Sequence, residues 1–195
     1  MALKGLLIIL SGPSGVGKGS IRKQIIDRPE LNLMYSISMT TRKPRKNEQD
    51  GVDYYFVSEK EFLKNIDEGN LLEYCQFVGN YYGTPLSKIE EFRSQGKNVL
   101  LEIEINGAEQ VMSKMKGDDV ISIFLLPPSL KALEERIRRR KTEPESVILQ
   151  RLKKGRSEMH MNKNYDYTVV NDDLNRAANE IAEIILEHVK LNKVR

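Results

Sequence analysis

Cysteine is nearly absent from this chain: Cys75 stands alone among 195 residues. No internal disulfide can form, which suits a reducing compartment and sets the expectation of a cytoplasmic protein. Histidine is scarce too. His160 and His188, with a single thiol, fall short of the four-ligand sets that structural zinc uses. Long apolar runs are missing; the longest near the start, Leu6-Leu7-Ile8-Ile9-Leu10, is far too short to cross a bilayer. Met1-Ala2-Leu3-Lys4-Gly5 has no extended apolar segment and no small-residue cleavage site, so no signal peptide is expected. Internal repeats and low-complexity tracts are lacking as well.

What is present is the composition of a globular α/β protein. Hydrophobic residues make up 39% and charged residues 30%, which excludes a disordered chain. The length suits one domain with small inserted lobes. Net charge is only +3, but residues 131–156 hold ten Lys/Arg against four acids. A basic segment on a near-neutral body fits a local anionic ligand. A solvated helix face and a nucleic-acid patch remain alternatives on charge alone.

The apolar run at 6–10 reads as a strand buried on both faces, as in a parallel sheet. Lys18 to Ile26 follows as a helix that stops near Pro29. Val99 to Ile105 and Ile121 to Leu126 read as further buried strands, with a helix over Asn106 to Met115 between them, a strand–helix–strand crossover. Ser129 can cap the helix that carries Arg136 and Arg140. Thr168-Val169-Val170 reads as a last strand. After it, Ala177, Ala178, Ile181, Ile184, Ile185 and Val189 recur at helical spacing. Residues 38–86 interrupt this rhythm with polar, turn-rich text. Gly79-Asn80 reads as a tight hairpin between Glu73–Val78 and Tyr81–Thr84, and Glu59 to Glu68 as a helix.

The chemistry begins at Gly12-Pro13-Ser14-Gly15-Val16-Gly17-Lys18, the G-x-x-x-x-G-K pattern. Glycines let backbone N–H groups turn inward around phosphate oxygens. The helix that follows adds its positive N-terminal end, and Lys18 can reach the β- and γ-phosphates. The pattern expects Ser or Thr next; this chain has Gly19 and then Ser20. A hydroxyl–metal bond at Gly19 is excluded, so Mg²⁺ is expected to be held by phosphates and water with no direct protein ligand. Ser20 is left as a candidate for a phosphate oxygen.

A second anion site is expected at Ser38-Met39-Thr40-Thr41-Arg42-Lys43-Pro44-Arg45, where two guanidinium forks stand beside hydroxyls. Asp53-Tyr54-Tyr55 and Tyr81-Tyr82 add phenols and stacking faces. These blocks are joined in order by Asp50-Gly51-Val52-Asp53-Tyr54-Tyr55-Phe56, Gly79-Asn80-Tyr81-Tyr82-Gly83-Thr84 and Val170-Asn171-Asp172-Asp173-Leu174. With them the chain resembles the guanylate kinase family of nucleoside-monophosphate kinases over nearly its whole length.

The resemblance implies a P-loop kinase core with a parallel sheet flanked by helices (1–37, 87–128 and 157–195). It also implies an inserted, mostly β GMP-binding lobe (38–86) and a helical lid (129–156). It implies transfer of the γ-phosphoryl of ATP to GMP with Mg²⁺. ATP and GMP are the expected partners, with neither nucleic acid nor membrane, and the oligomeric state is left open. Arg42, Arg45, Tyr54 and Tyr82 match positions that hold the GMP phosphate. Ser38, Glu73 and Thr84 match those around the guanine, and Glu48 matches a supporting acid. A carboxylate at Glu73 can accept from guanine N1–H and N2–H₂, a donor pair that adenine lacks.

Glu104 stands where the family commonly has Asp. Glu102, two residues earlier, is expected on the same strand face. It is either a strand-end acid near Lys18 or a metal-water contact. Arg136 and Arg140 share a helix face and match lid arginines that close on the ATP phosphates. Arg151 matches a further one, and Asn171 a position near the adenine. The family usually has Arg-Gly at the lid turn, where this chain has Arg140-Lys141. Two rivals stay beside this reading: a kinase for another nucleoside monophosphate, and a non-catalytic guanylate-kinase-like module that binds proteins.

Overall fold

The structure is a computed structural model that describes residues 3–77, 79–117, 119–139 and 144–194. Its organisation starts from the apolar run. All five residues of β1 (Leu7–Ser11) are buried. Successive side chains of a strand point to opposite faces, so the run feeds two cores: Ile8 and Leu10 join one, Leu7 and Ile9 the other.

The remaining elements follow in order. α1 (Lys18–Ile25) is followed by a 3₁₀ turn at Pro29–Leu31. Next come β2 (Leu33–Tyr35), β3 (Met39–Thr40), β4 (Tyr55–Phe56), α2 (Glu59–Asp67), β5 (Leu71–Phe77) and β6 (Asn80–Pro85). α3 (Leu86–Ser94), β7 (Asn98–Glu102), α4 (Ile105–Lys114) and β8 (Val120–Leu126) rebuild the α/β rhythm. α5 (Leu130–Arg139), α6 (Glu145–Glu158), a 3₁₀ turn at Met161–Asn164, β9 (Tyr167–Val170) and α7 (Leu174–Val194) complete the described chain.

Five strands form a parallel sheet in the order β2-β7-β1-β8-β9. β1 lies at its centre, with Ile8 opposite both Leu100 and Ile121. Ile21 and Ile25 of α1 and Ala177, Ala178, Ile181 and Ile185 of α7 cover one face. Ile89 of α3 and Ile105, Ala108 and Val111 of α4 cover the other. This is the α/β class expected from the sequence. Because the strands are parallel, the carboxyl ends of β1 and β7 open on one edge, where ligands of such sheets bind.

Residues 39–85 supply a second sheet, ordered β4-β3-β6-β5. β5 and β6 form an antiparallel hairpin, with Phe77 opposite Asn80. The turn therefore falls one residue earlier than expected: Gly79 takes φ 74° and Asn80 already belongs to β6. Val78 lies outside the described residues. Phe62 of α2 is buried beneath this sheet and stacks on Tyr81 with ring centroids 5.3 Å apart.

One boundary differs in a way that matters below. The strand expected over Val99 to Ile105 ends at Glu102, and Ile105 opens α4. Glu104 is the residue before that helix, with φ −72° and ψ 159°. Ile103 and Ile105 are both buried, so an apolar alternation continues across the strand end and imitates strand text.

Candidate active site

The loop between β1 and α1 carries the phosphate motif. Gly17 sits at φ 106° just before α1, a conformation L side chains rarely adopt, and a Cβ there would meet Asn171 Nδ2 at 2.6 Å. Lys18 Nζ donates to Gly12 O at 2.7 Å across the loop. The loop is also held from outside. Asn171 Nδ2 and Arg136 Nη1 both donate to Val16 O, at 2.8 and 3.1 Å, and Arg136 Nη2 donates to Asn171 O at 2.7 Å. Arg151 donates through Nε and Nη2 to Ser14 Oγ at 3.1 and 3.0 Å, while Ser14 N donates to Glu158 Oε2 at 3.3 Å. Helices α5 and α6 thus grip the loop through polar side chains.

One cleft runs from Ser14–Gly19 to the second sheet. Ser38, Arg42, Arg45, Tyr54, Glu73 and Tyr82 line its far part, and Glu102, Glu104 and Arg151 its floor. Ser38, Arg42, Arg45, Tyr54, Glu73 and Tyr82 therefore meet Ser14–Gly19 in a single cavity, while Gly12, Pro13, Glu48, Thr84, Arg136 and Asn171 lie outside its lining. Arg42 is set by Glu48, which accepts two hydrogen bonds at 3.0 Å from Arg42 Nη1 and Nη2 and one at 2.8 Å from Arg45 N. Burial works to raise the Glu48 carboxyl, but Arg42 and Arg45 outweigh it and hold it below its usual range. Arg42 also lies 5.4 Å from the Tyr54 ring centroid, and burial pushes the Tyr54 phenol up to about 12.

Glu73 is the least ordinary group of the cleft. It is 3% exposed on β5 and faces Thr84 of β6, whose Oγ1 donates to Glu73 Oε1 at 2.5 Å. Burial raises its carboxyl to about 7 against the opposing pulls of Thr84 and Lys114. Gly107 makes room for it: a Cβ there would fall 2.2 Å from Glu73 Oε2.

Several sequence expectations need correction. Glu102 and Glu104 do not share a strand face, because the strand ends between them. Glu102 pairs with Arg22 Nε at 3.0 Å, and Glu104 with Lys154 Nζ at 3.1 Å. Glu102 remains near the phosphate loop, since a Cβ on Gly19 would lie 3.3 Å from its Oε1. Arg136, the arginine expected to close on the ATP phosphates, donates here to Val16 O of the phosphate loop and to Asn171 O. Ser20 is exposed and outside the cleft lining. Arg140 and Lys141 lie outside the described residues.

Other residues were missed. Cys75 and Phe77 line the cleft with Glu73; the period-two spacing along β5 carried that signal. Lys154 and Glu158 share a face of α6 with Arg151, a helical spacing the sequence also displayed. Among the described residues no group of three or more His, Cys, Asp or Glu could hold a metal ion, and no helix is long and apolar enough to cross a membrane.

The sequence profile of the guanylate kinase family matches residues 4–188. The chain belongs to the guanylate kinase family. It is 51% identical to the guanylate kinase of Enterococcus faecalis over 195 residues, spanning 100% of this chain and 95% of that one. It is 48% identical to the guanylate kinase of Malacoplasma penetrans over 186 residues, 95% of each chain. The crystal structure of guanylate kinase from Anaplasma phagocytophilum superposes with a TM-score of 0.74 at 35% identity, covering 94% of this chain and 85% of that one. The guanylate kinase fold thus accounts for both sheets and for the loop between β1 and α1.

Proposed function

We propose that the cleft takes ATP along the loop before α1, whose residues Ser14–Gly19 line it, and GMP between the Arg42/Arg45 pair and Glu73. The chain catalyses ATP-dependent phosphorylation of GMP to GDP. One observation carries the residue-level reading: a buried carboxylate, Glu73, and an arginine pair, Arg42 and Arg45, line the same cavity as the phosphate loop. The loop supplies one anion site and the arginines a second, so two phosphates can be held end to end. Glu73 and Thr84 then meet the acceptor base.

The chemistry needs no protein nucleophile. A GMP phosphate oxygen attacks the γ-phosphoryl in line, and the protein contributes position and positive charge. Lys18 leaves Gly12 O to meet the β- and γ-phosphates. Arg42 and Arg45 fix the acceptor phosphate, with Tyr54 and Tyr82 beside it. Arg151 adds charge from α6 near Ser14. Arg136 of α5 closes on the ATP phosphates, and Asn171 borders the adenine end. The division of labour follows the chain: core 1–37, 87–128 and 157–195, acceptor lobe 38–86, and lid 129–156 excluding water.

Mg²⁺ accompanies ATP in this reading. Glu102 fits an outer-sphere role, because its Oε1 points at the space beside Gly19 where other P-loops carry a hydroxyl. When bound, the ion neutralises charge on the β- and γ-phosphates. The protein is assigned to the cytoplasm, consistent with its lone thiol.

A coupled ADP-release assay with GMP, AMP, UMP and dTMP as acceptors tests the assignment. GMP is expected to exceed each of the others by roughly 10⁴-fold in kcat/KM, because a polar pocket rejects a base that leaves its groups unpaired. Comparable rates with AMP would contradict the guanine assignment of Glu73 and Thr84.

A further inference from the structure

Lys154 joins three parts of the molecule. It sits on α6, one turn after Arg151 and one turn before Glu158. Its Nζ donates to Glu104 Oε2 at 3.1 Å, lies 3.4 Å from Glu158 Oε1, and stands 4.1 Å from the Phe77 ring centroid on β5. Glu104 and Phe77 both line the cleft. One ammonium therefore links the lid helix to the entry of α4 and to the acceptor lobe.

This is more than a surface ion pair. The Lys154 side chain is 32% exposed and that of Glu158 only 5%, so solvent screens the cluster weakly. The cation also lies over an aromatic face, which adds attraction once water is reduced. Nor is Lys154 needed to seat α6. Arg151 and Glu158 already bind Ser14, and Ile148 and Leu152 pack with Leu133 and Ile137.

Glu104 is the partner on which this arrangement acts. Lys18 faces it from α1, Lys154, Arg151 and Glu158 from α6, and Glu73 from β5. Burial works to neutralise it, but Lys18, Lys154 and Arg151 together hold the carboxyl below its usual range. Glu73 and Glu104 are thus two acids in one cleft with opposite tendencies.

We propose that Lys154 is a positioning residue for the acceptor site, holding Glu104 in place in the cleft only while α6 is seated against β5. The inference rests on the GMP reading above and adds the residue that makes acceptor recognition depend on the lid. A guanine amino group offers donors that a fixed carboxylate accepts and a displaced one does not.

The test compares the intact protein with Lys154→Met and Lys154→Arg in steady-state kinetics, with thermal melts alongside. Lys154→Met is expected to raise KM for GMP roughly tenfold, the scale of one lost charge-assisted hydrogen bond. KM for ATP should stay within about twofold, an expectation based on the same loss being confined to the acceptor end. Lys154→Arg should restore the parental KM for GMP. Equal shifts in the two KM values, or no recovery in Lys154→Arg, overturn the inference while wild-type GMP turnover leaves the kinase assignment standing. Wild-type protein that does not phosphorylate GMP overturns both.

Discussion

Lys18→Met should fold like the parent and lose roughly a thousandfold or more in turnover, the scale set by removing a charge that acts mainly on a phosphoryl transition state. The fold should survive for a local reason. The Lys18 ammonium bonds the Gly12 carbonyl, while α1 is anchored by buried Ile21 and Ile25. Methionine keeps the length of the stem and removes the ammonium, with its charge and its bond to Gly12 O. ATP carries its charge on the phosphates that Lys18 serves, so the loss should fall on kcat more than on KM. Single-turnover rates and a thermal melt check this together. An unchanged melt with near-parental turnover would remove Lys18 from the mechanism.

Glu73→Gln should weaken GMP by roughly a hundredfold or more in kcat/KM and leave KM for ATP near its parental value, since one buried, charge-accepting partner of the base is replaced by a group with the wrong polarity. The substitution is isosteric, and Thr84 Oγ1 can still donate to the remaining carbonyl oxygen. Pocket shape is therefore preserved and only hydrogen-bond sense changes. Protonation gives an independent reading. Burial holds the Glu73 carboxyl near pH 7. Guanine donors favour its charged form, so GMP binding should lower that pKa and release protons around neutral pH. Calorimetric titrations in buffers of different ionisation enthalpy should detect the release in the parent and not in Glu73→Gln. GMP affinity should fall as pH drops below about 7. Equal losses for GMP and ATP, or no proton release by the parent, would remove Glu73 from the base pocket.

How much of this was legible depends on what each residue packs against. The phosphate loop was readable because its chemistry demands fixed types at fixed spacing, Gly12, Gly17 and Lys18, after an apolar strand. α7 was readable because its buried face is apolar, with Ala177, Ala178, Ile181 and Ile185. α6 was not singled out, for the opposite reason. Its buried positions include Arg151, Gly155 and Glu158, because that face binds the backbone and hydroxyl of the loop instead of the sheet. A helix with a polar buried face gives little hydrophobic period to read.

The error at Glu102 and Glu104 has a comparable origin. Alternating Ile103 and Ile105 looks like continued strand, yet the chain turns at Glu104 into α4. That turn brings Gly107 under the Glu73 carboxylate, a tertiary requirement that no local pattern states. Arg136 shows the limit of helical spacing: the spacing assigns a residue to a helix face without naming what that face meets.

The central claim is that the γ-phosphoryl of ATP passes to GMP within one cleft, and label transfer tests it most directly. Purified protein would be incubated with γ-labelled ATP, Mg²⁺ and GMP, and the products separated. The label should appear in the β-phosphate of GDP, in step with ADP formation, and should vanish from GDP with Lys18→Met. Label found only in inorganic phosphate, or in a diphosphate made from another acceptor in preference to GMP, would contradict the account.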